Sequence, residues 1–311
     1  MGPTLLRWLP PSLEDLSEPA AAHTVRTAAL IGGEKALDLL AGYVGDERLE
    51  VVNELIKAWN YFDADAYADR VLCRLPLAGN LVAINHPGQM RAAARLRELT
   101  GAYVRYPLRG PKALADLPPL RVLWVDEVSE AADRSVLSGH PDLMDLTLSV
   151  TKALRGGAAL ADLIRLRWLT TRLPEDLDLS TLRDCRDLAD ISLSGVAEKD
   201  LSPLTTFAGL RYVDLSGSGR ETLRGFDDLR EMHGLRFLRL EGVDIDPWLR
   251  RVRNLPSTLT DVYLANCVVP PDPEVFLRFP NLKLLAVDAC RTSDGTPVAA
   301  PYIPGTDVRI G

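Results

Sequence analysis

Apolar residues recur along this chain in two different rhythms. Between about residues 20 and 72 they return every three or four positions. Leu37, Leu40, Ala41 and Val44 form one stripe, Val52, Leu55, Ile56 and Trp59 a second, and Ala64, Tyr67, Ala68 and Val71 a third. That period puts them on one face of an α-helix. The spacing predicts a helix over 20–31, closed by Gly32-Gly33, and three more behind it, with Asp46 and Asp63 as N-caps of the last two. From about residue 120 to 290 the rhythm changes to a phrase of the form Leu-x-x-Leu-x-Leu. It reads Leu120, Leu123, Val125; Leu143, Leu146, Leu148; Leu163, Leu166, Trp168; Leu188, Ile191, Leu193. It continues with Leu210, Val213, Leu215; Leu235, Leu238, Leu240; Leu259, Val262, Leu264; and Leu282, Leu285, Val287. The steps between phrases are 23, 20, 25, 22, 25, 24 and 23 residues.

A phrase of this kind at a period of roughly 20–29 residues is the leucine-rich-repeat pattern. Each phrase predicts a short strand whose fourth and sixth positions face inward, since side chains alternate along a strand. The expected fold is therefore an α/β solenoid: a leucine-rich-repeat array with a parallel sheet on its concave face, preceded by a small all-α, HEAT-like helical domain. The expected divisions are a proline-rich linker over 1–19, the helical domain over 20–75, and a transition with degenerate repeats over 76–118. The repeats follow over 119–292, then a C-terminal cap and poorly ordered tail over 293–311. Leu81-x-x-Ile84 and Leu96-x-x-Leu99 are the degenerate units. Three residues past the sixth place, where many repeats carry Asn, this chain has Val128, Thr151, Thr171, Val196, Ser218, Val243, Cys267 and Cys290. No amide ladder forms from that column, so packing has to hold the turns.

Composition narrows function mainly by exclusion. The chain has 311 residues, 47% hydrophobic and 25% charged, an ordinary globular balance. Its net charge of −7 argues against a nucleic-acid or anionic-membrane surface, which calls for a basic footprint. No apolar run approaches the roughly 18 residues of a membrane span. The start is a poor secretory signal, and Leu6 stands where a myristoylation signal needs Ser or Thr. The expectation is a cytoplasmic protein with its four cysteines reduced. Cys267 and Cys290, at equivalent places in successive repeats, read as packed reduced thiols, with a metal or redox pair as the lesser alternative. No phosphate loop is present, and the four histidines lie in separate segments without metal-ligand spacing. An enzyme is not expected, and neither a cofactor nor a metal.

The outward strand positions carry more information. In register, the centre column reads Trp124, Thr147, Arg167, Ser192, Asp214, Arg239, Tyr263 and Ala286. Beside it run Val122, Asp145, Arg165, Asp190, Tyr212, Phe237, Asp261 and Leu284. Neighbours in a column are about 4.8 Å apart, so Asp145–Arg165–Asp190 alternate in sign and Tyr212 lies against Phe237. Trp, Tyr and Arg are enriched at binding hot spots. Trp124, Arg165, Arg167, Tyr212, Asp214, Phe237, Arg239 and Tyr263 are therefore the candidate ligand-binding residues; cross-strand stabilisation of the sheet is the competing role.

Residues 29–72, ALIGGEKALDLLAGYVGDERLEVVNELIKAWNYFDADAYADRVL, are similar to the helical segment of bacterial NACHT-type proteins, STAND NTPases related to NOD-like receptors. The resemblance runs through Gly32-Gly33, Asp46, Val51-Val52, Glu54-Leu55, Ala58-Trp59, Phe62-Asp63 and Tyr67-Ala68. In that family the segment joins the NTPase module to a leucine-rich-repeat sensor. The nucleotide-binding module is absent here, so the resemblance implies the sensor half alone, with an NTPase module in cis or in trans as one partner. The expected function is non-catalytic recognition of a protein or peptide on the concave face, in defence or signalling. A repeat scaffold for self-assembly or subunit assembly is the alternative.

Overall fold

The computed structural model describes residues 5–108, 112–128, 134–150, 160–173, 178–196, 199–219, 222–298 and 301–311. The chain divides into two compact units, Met1–Glu127 and Val128–Gly311.

The first unit opens with four helices: α1 (Glu18–Ile31), α2 (Glu34–Gly42), α3 (Leu49–Ala58) and α4 (Ala64–Arg70). Their stripes are buried as the period requires: Leu37 and Leu40, then Val52, Leu55, Ile56 and Trp59, then Tyr67, Ala68 and Val71. Asp63 caps α4, accepting the Ala66 N–H at 2.9 Å. Asp46 does not cap α3, whose N-cap is Arg48; Asp46 instead holds the Arg48 guanidinium. That guanidinium also donates to the carbonyls of Leu13 at 3.0 Å and Leu16 at 2.6 Å, and the Tyr43 hydroxyl donates to Pro10 O. The proline-rich start is thereby tied to the helices. The aromatic cluster is core packing: the Trp59 indole donates to Ala64 O and the Tyr67 hydroxyl to Leu55 O, while Phe62 stacks on Tyr67.

Glu54, on α3, is almost fully buried. Its carboxylate accepts two hydrogen bonds from Arg26 of α1 at 2.9 Å and one from Lys57 at 2.9 Å. The Arg26 hydrogen bonds, partly opposed by burial and helped by Lys57, hold its pKa down to about 2. A depressed folded pKa gives stability that is present in full above the ordinary value of 4.5 and disappears as the pH falls towards 2. Glu54→Gln should therefore flatten the fall of thermal midpoint between those two pH values, as followed by circular dichroism.

After the helices come three parallel strands, β1 (Leu81–Ile84), β2 (Gly101–Val104) and β3 (Val122–Val128), with α5 (Pro87–Ala93) and α6 (Lys112–Ala115) between them. Val82, Ile84, Ala102, Val104, Leu123 and Val125 face the core. The stretch read as degenerate repeats thus carries two strands, but in another phase. Leu81 is partly exposed, and the second strand starts at Gly101, beyond Leu96-x-x-Leu99. Gly101 is demanded by crowding, since a Cβ there would lie 2.7 Å from Asn80 O.

The second unit is a run of parallel strands, one per turn: β4 (Asp145–Val150), β5 (Trp168–Arg172), β6 (Asp190–Ser194), β7 (Tyr212–Ser216), β8 (Phe237–Glu241) and β9 (Asp261–Ala265). A minor pair, β10 (Val268–Val269) with β12 (Arg291–Thr292), flanks β11 (Leu284–Asp288), and β13 (Asp307–Ile310) pairs with β11. Residues 293–311, expected as cap and tail, thus contribute a strand to the sheet. The spine of Leu146, Ile191, Val213, Leu238, Val262 and Leu285 is fully buried, each side chain worth about 1.5–3 kcal/mol in water released. Opposite the strands the turns are short: Asp200 accepts from the Ser202 N–H at 2.9 Å and opens a 3-10 turn over Ser202–Thr206. Between β8 and β9, α7 (Asp246–Arg251) buries Trp248. Past the strands, Gly195, Gly242, Asn266 and Ala289 all take positive φ, so the place after the strand needs a left-handed backbone. Asn266 stands there for that reason and not as part of an amide ladder.

One phrase is displaced from its expected position. β5 aligns Leu169 with Leu146 and Ile191, and Thr171 with Leu148 and Leu193. The unit is therefore Leu166-x-x-Leu169-x-Thr171, and Trp168, expected inside, is 47% exposed. The steps of 20 and 25 residues become 23 and 22. Leu169→Ala should lower stability by about 2–5 kcal/mol in urea unfolding. Trp168→Ala should change it by less than about 0.5 kcal/mol. The reverse order would restore the displaced phase.

Candidate functional site

Alternation along β6–β9 sends Val213, Leu215, Leu238, Leu240, Val262 and Leu264 inward, so Tyr212, Asp214, Phe237, Arg239 and Tyr263 stand on the open face. Adjacent strands are about 4.8 Å apart, close to a ring-stacking distance. Tyr212 and Phe237, paired in register, stack at 4.5 Å with 10° between planes. Phe237 and Tyr263 stack diagonally at 4.8 Å and 28°. Three rings from three strands make one half-exposed apolar strip, with Phe237 in the middle.

Charge surrounds that strip. Arg239 reaches Asp214 at 3.6 Å on one side and Glu241 at 2.6 Å on the other. Asp214 also accepts from the Ser192 hydroxyl at 3.2 Å. Its pKa is raised, chiefly by burial, with Arg239 and Ser192 opposing. Burial likewise raises Asp190, the strand neighbour of Tyr212 on the side away from Phe237. Asp261 adjoins Phe237, and Asp288 and Asp307 lie farther along the same face. Against these carboxylates the outward positions of β6–β9, β11 and β13 offer, among the described residues, Arg239 and Arg309, and Arg309 is paired with Asp307 at 2.7 Å. On the strand face the strip lies among carboxylates, and Arg211 and Arg236 stand exposed just before two of its rings.

Arg165 and Arg167 do not join it, because the phase of β5 places both before the strand. Arg165 pairs with Asp142 at 3.2 Å. Arg167 shares a column with exposed Arg211, Arg236 and Lys283, all one residue before a strand, so it lies on a basic rim. The expected Asp145–Arg165–Asp190 alternation is replaced by Asp145–Trp168–Asp190, with Thr170 beside Ser192. The Trp168 indole donates to the Thr170 hydroxyl at 3.3 Å. Sequence reading missed Trp168; the available signal was the step of 20 residues, shorter than all the others, which the phase through Leu169 removes to leave steps of 22–25.

Trp124 belongs to the first unit and has its own aromatic partner there. Tyr103, its neighbour on β2, meets it edge-on at 5.6 Å, and the Arg105 guanidinium lies 5.5 Å from the Tyr103 ring centre. A hydrogen bond to Asp126 raises the pKa of the Tyr103 hydroxyl. The Trp124 indole nitrogen is buried without a hydrogen-bond partner among the described residues. Tyr103 went unnoticed because its strand was read out of phase.

Among the described residues no group of three or more His, Cys, Asp or Glu side chains is placed to hold a metal ion. No helix among them is long and apolar enough to cross a membrane.

No protein-family description matches the chain, and no curated protein does. Among solved structures it is similar to an internalin, inlF, of Listeria monocytogenes, at 14% identity over 74% of this chain and 81% of that one, with a TM-score of 0.44. An internalin C2 from the same organism gives 16% identity over 94% and 93% of the two chains, with a TM-score of 0.33. The leucine-rich-repeat ectodomain of the Arabidopsis receptor kinase HAESA, solved with an IDA peptide hormone ligand, gives 15% identity over 83% and 44%, with a TM-score of 0.42. These are likenesses of fold, and the leucine-rich-repeat assignment of this chain rests on its own strand register: one buried apolar phrase per turn, stacked in parallel.

Proposed function

We propose that the chain is a non-catalytic recognition module that binds a protein or an extended peptide across the strands of its second unit. The observation that carries this reading is the half-exposed strip of Tyr212, Phe237 and Tyr263. Stacked rings on an otherwise polar sheet face leave apolar area in water that a ligand can cover. The carboxylates around the strip favour a ligand that brings an apolar or aromatic side chain together with Lys or Arg. The narrower reading is that the module is the sensing half of a NACHT-type defence or signalling system, working with an NTPase module. It is supported by the helical segment and the repeats standing in that family's order. An in-frame phosphate-loop module in the DNA immediately upstream would favour it, and an unrelated reading frame there would count against it.

The binding reading is tested with a displayed random-peptide library panned on the wild-type chain and counter-selected on Phe237→Glu. Enrichment of basic-aromatic sequences that bind wild type and ignore the variant is the expected result. Binders indifferent to Phe237, or no binders at all, would move the recognition surface off this face.

A further inference from the structure

We propose that Cys267 and Cys290 form an oxidisable dithiol in which a hydroperoxide is attacked by Cys290 and Cys267 then closes a disulfide between two successive turns. Two ladders fix their relation. Ala265 is in register with Asp288, and Val268 with Arg291, so the chain on either side holds Cys267 and Cys290 next to one another. Parallel neighbours at about 4.8 Å lie inside the Cα separation of about 4.4–6.8 Å that a disulfide accepts. The Cys267 N–H donates to Cys290 Sγ at 3.3 Å, while the Cys267 thiol reaches the carbonyls of Leu240 and Ala265, each at 3.3 Å.

Access and acidity divide the roles. Cys290 is partly exposed, after the exposed residues Asp288 and Ala289; Cys267 is fully buried. Contact with Cys267, its backbone N–H included, draws the Cys290 thiol below its ordinary range against the opposing effect of burial, while Cys267 is pushed up by its contact with Cys290 and by burial. A partly exposed, acidified thiol beside a buried one is the arrangement of an attacking and a resolving cysteine. Cys185 contrasts with Cys290: it is buried, its Sγ is directed to Leu163 O at 3.3 Å, and burial pushes its pKa up to about 11.

In the first step the Cys290 thiolate attacks one peroxide oxygen. The O–O bond breaks, Cys290 becomes a sulfenic acid, and the leaving hydroxide takes a proton to become water. In the second, Cys267 sulfur, giving up its proton, attacks Cys290 sulfur; the S–O bond breaks and a second water leaves. Two thiols and one hydrogen peroxide thus give one disulfide and two waters. The disulfide ties the turn after β9 to the turn after β11.

The test uses the full chain carrying Cys73→Ser, which removes the exposed thiol. Treated with hydrogen peroxide and mapped without reductant, it should lose two thiols per chain, with the Cys267 and Cys290 peptides linked and both restored by dithiothreitol. Adding Cys290→Ser should abolish the link. Adding Cys267→Ser instead should leave Cys290 as a sulfenic acid that a cyclic dione labels. Should either added variant fail to fold, the mapping of the parent decides alone. Three thiols surviving a peroxide dose that fully oxidises a small-molecule thiol would overturn the proposal. So would Cys290 ending as a sulfonic acid, or joined to another chain, with Cys267 still free.

Discussion

Phe237→Ala will weaken ligand capture by roughly 30-fold or more, the equivalent of about 2 kcal/mol at a hot spot. The effect should exceed that of Tyr212→Ala or Tyr263→Ala, because Phe237 alone touches both other rings. Aromatic pairs contribute about 0.5–1.5 kcal/mol beyond the area they cover. A cycle of Phe237→Ala with Tyr212→Ala should therefore give clearly non-additive binding energies. The variant should still fold, since Phe237 is half-buried and Leu238 and Leu240 beneath it are untouched. Calorimetry with a selected peptide, beside a thermal melt, separates the two effects. Retained affinity in a folded variant would mean that the strip serves only the sheet.

Trp248→Ala will cost about 3–5 kcal/mol of stability from the lost side chain alone. Trp248 is 1% exposed, packs 6.2 Å from the Phe226 ring, and donates its indole N–H to Phe226 O at 2.7 Å. Truncation opens a cavity and also strands that carbonyl, adding about 1–3 kcal/mol. Domains are stable by only about 5–15 kcal/mol in total, so the second unit should be largely unfolded or close to it at 37 °C. Trp248→Phe, which keeps most of the volume and loses the donor, should cost less than half as much. Urea unfolding of the two variants measures the difference, and a cost below about 1 kcal/mol for Trp248→Ala would show that α7 is not part of the core.

The fold was legible wherever the sixth place of the phrase was apolar. Leu193, Leu215, Leu240, Leu264 and Val287 all sit where the repeat puts them, and the residues between them face outward as read. The phase slipped at β5 because Thr171 occupies that place, while Leu163 and Leu166, buried ahead of the strand, imitate the phrase three residues early, in place of Leu166 and Leu169. β1 and β2 were blurred for a similar reason: their inward residues include Ala102, and their turns carry Gly and Pro. The aromatic strip and the Asp214–Arg239 contact followed directly from alternation. Trp168, Thr170, Tyr103 and the basic rim did not, since each depended on a phase that sequence alone left wrong.

Thr171 has one further consequence. Its hydroxyl, buried beside Leu148 and Leu193, reaches among the described residues the carbonyl of Arg172, at 3.3 Å, so this layer of the spine is held less firmly than those beside it. In a repeat array each layer is stabilised by its neighbours alone, and local opening starts where one interface is weakest. Amide protons of β5 should therefore exchange with deuterium sooner than those of β7 or β8, marking a seam at which the stack parts before it melts.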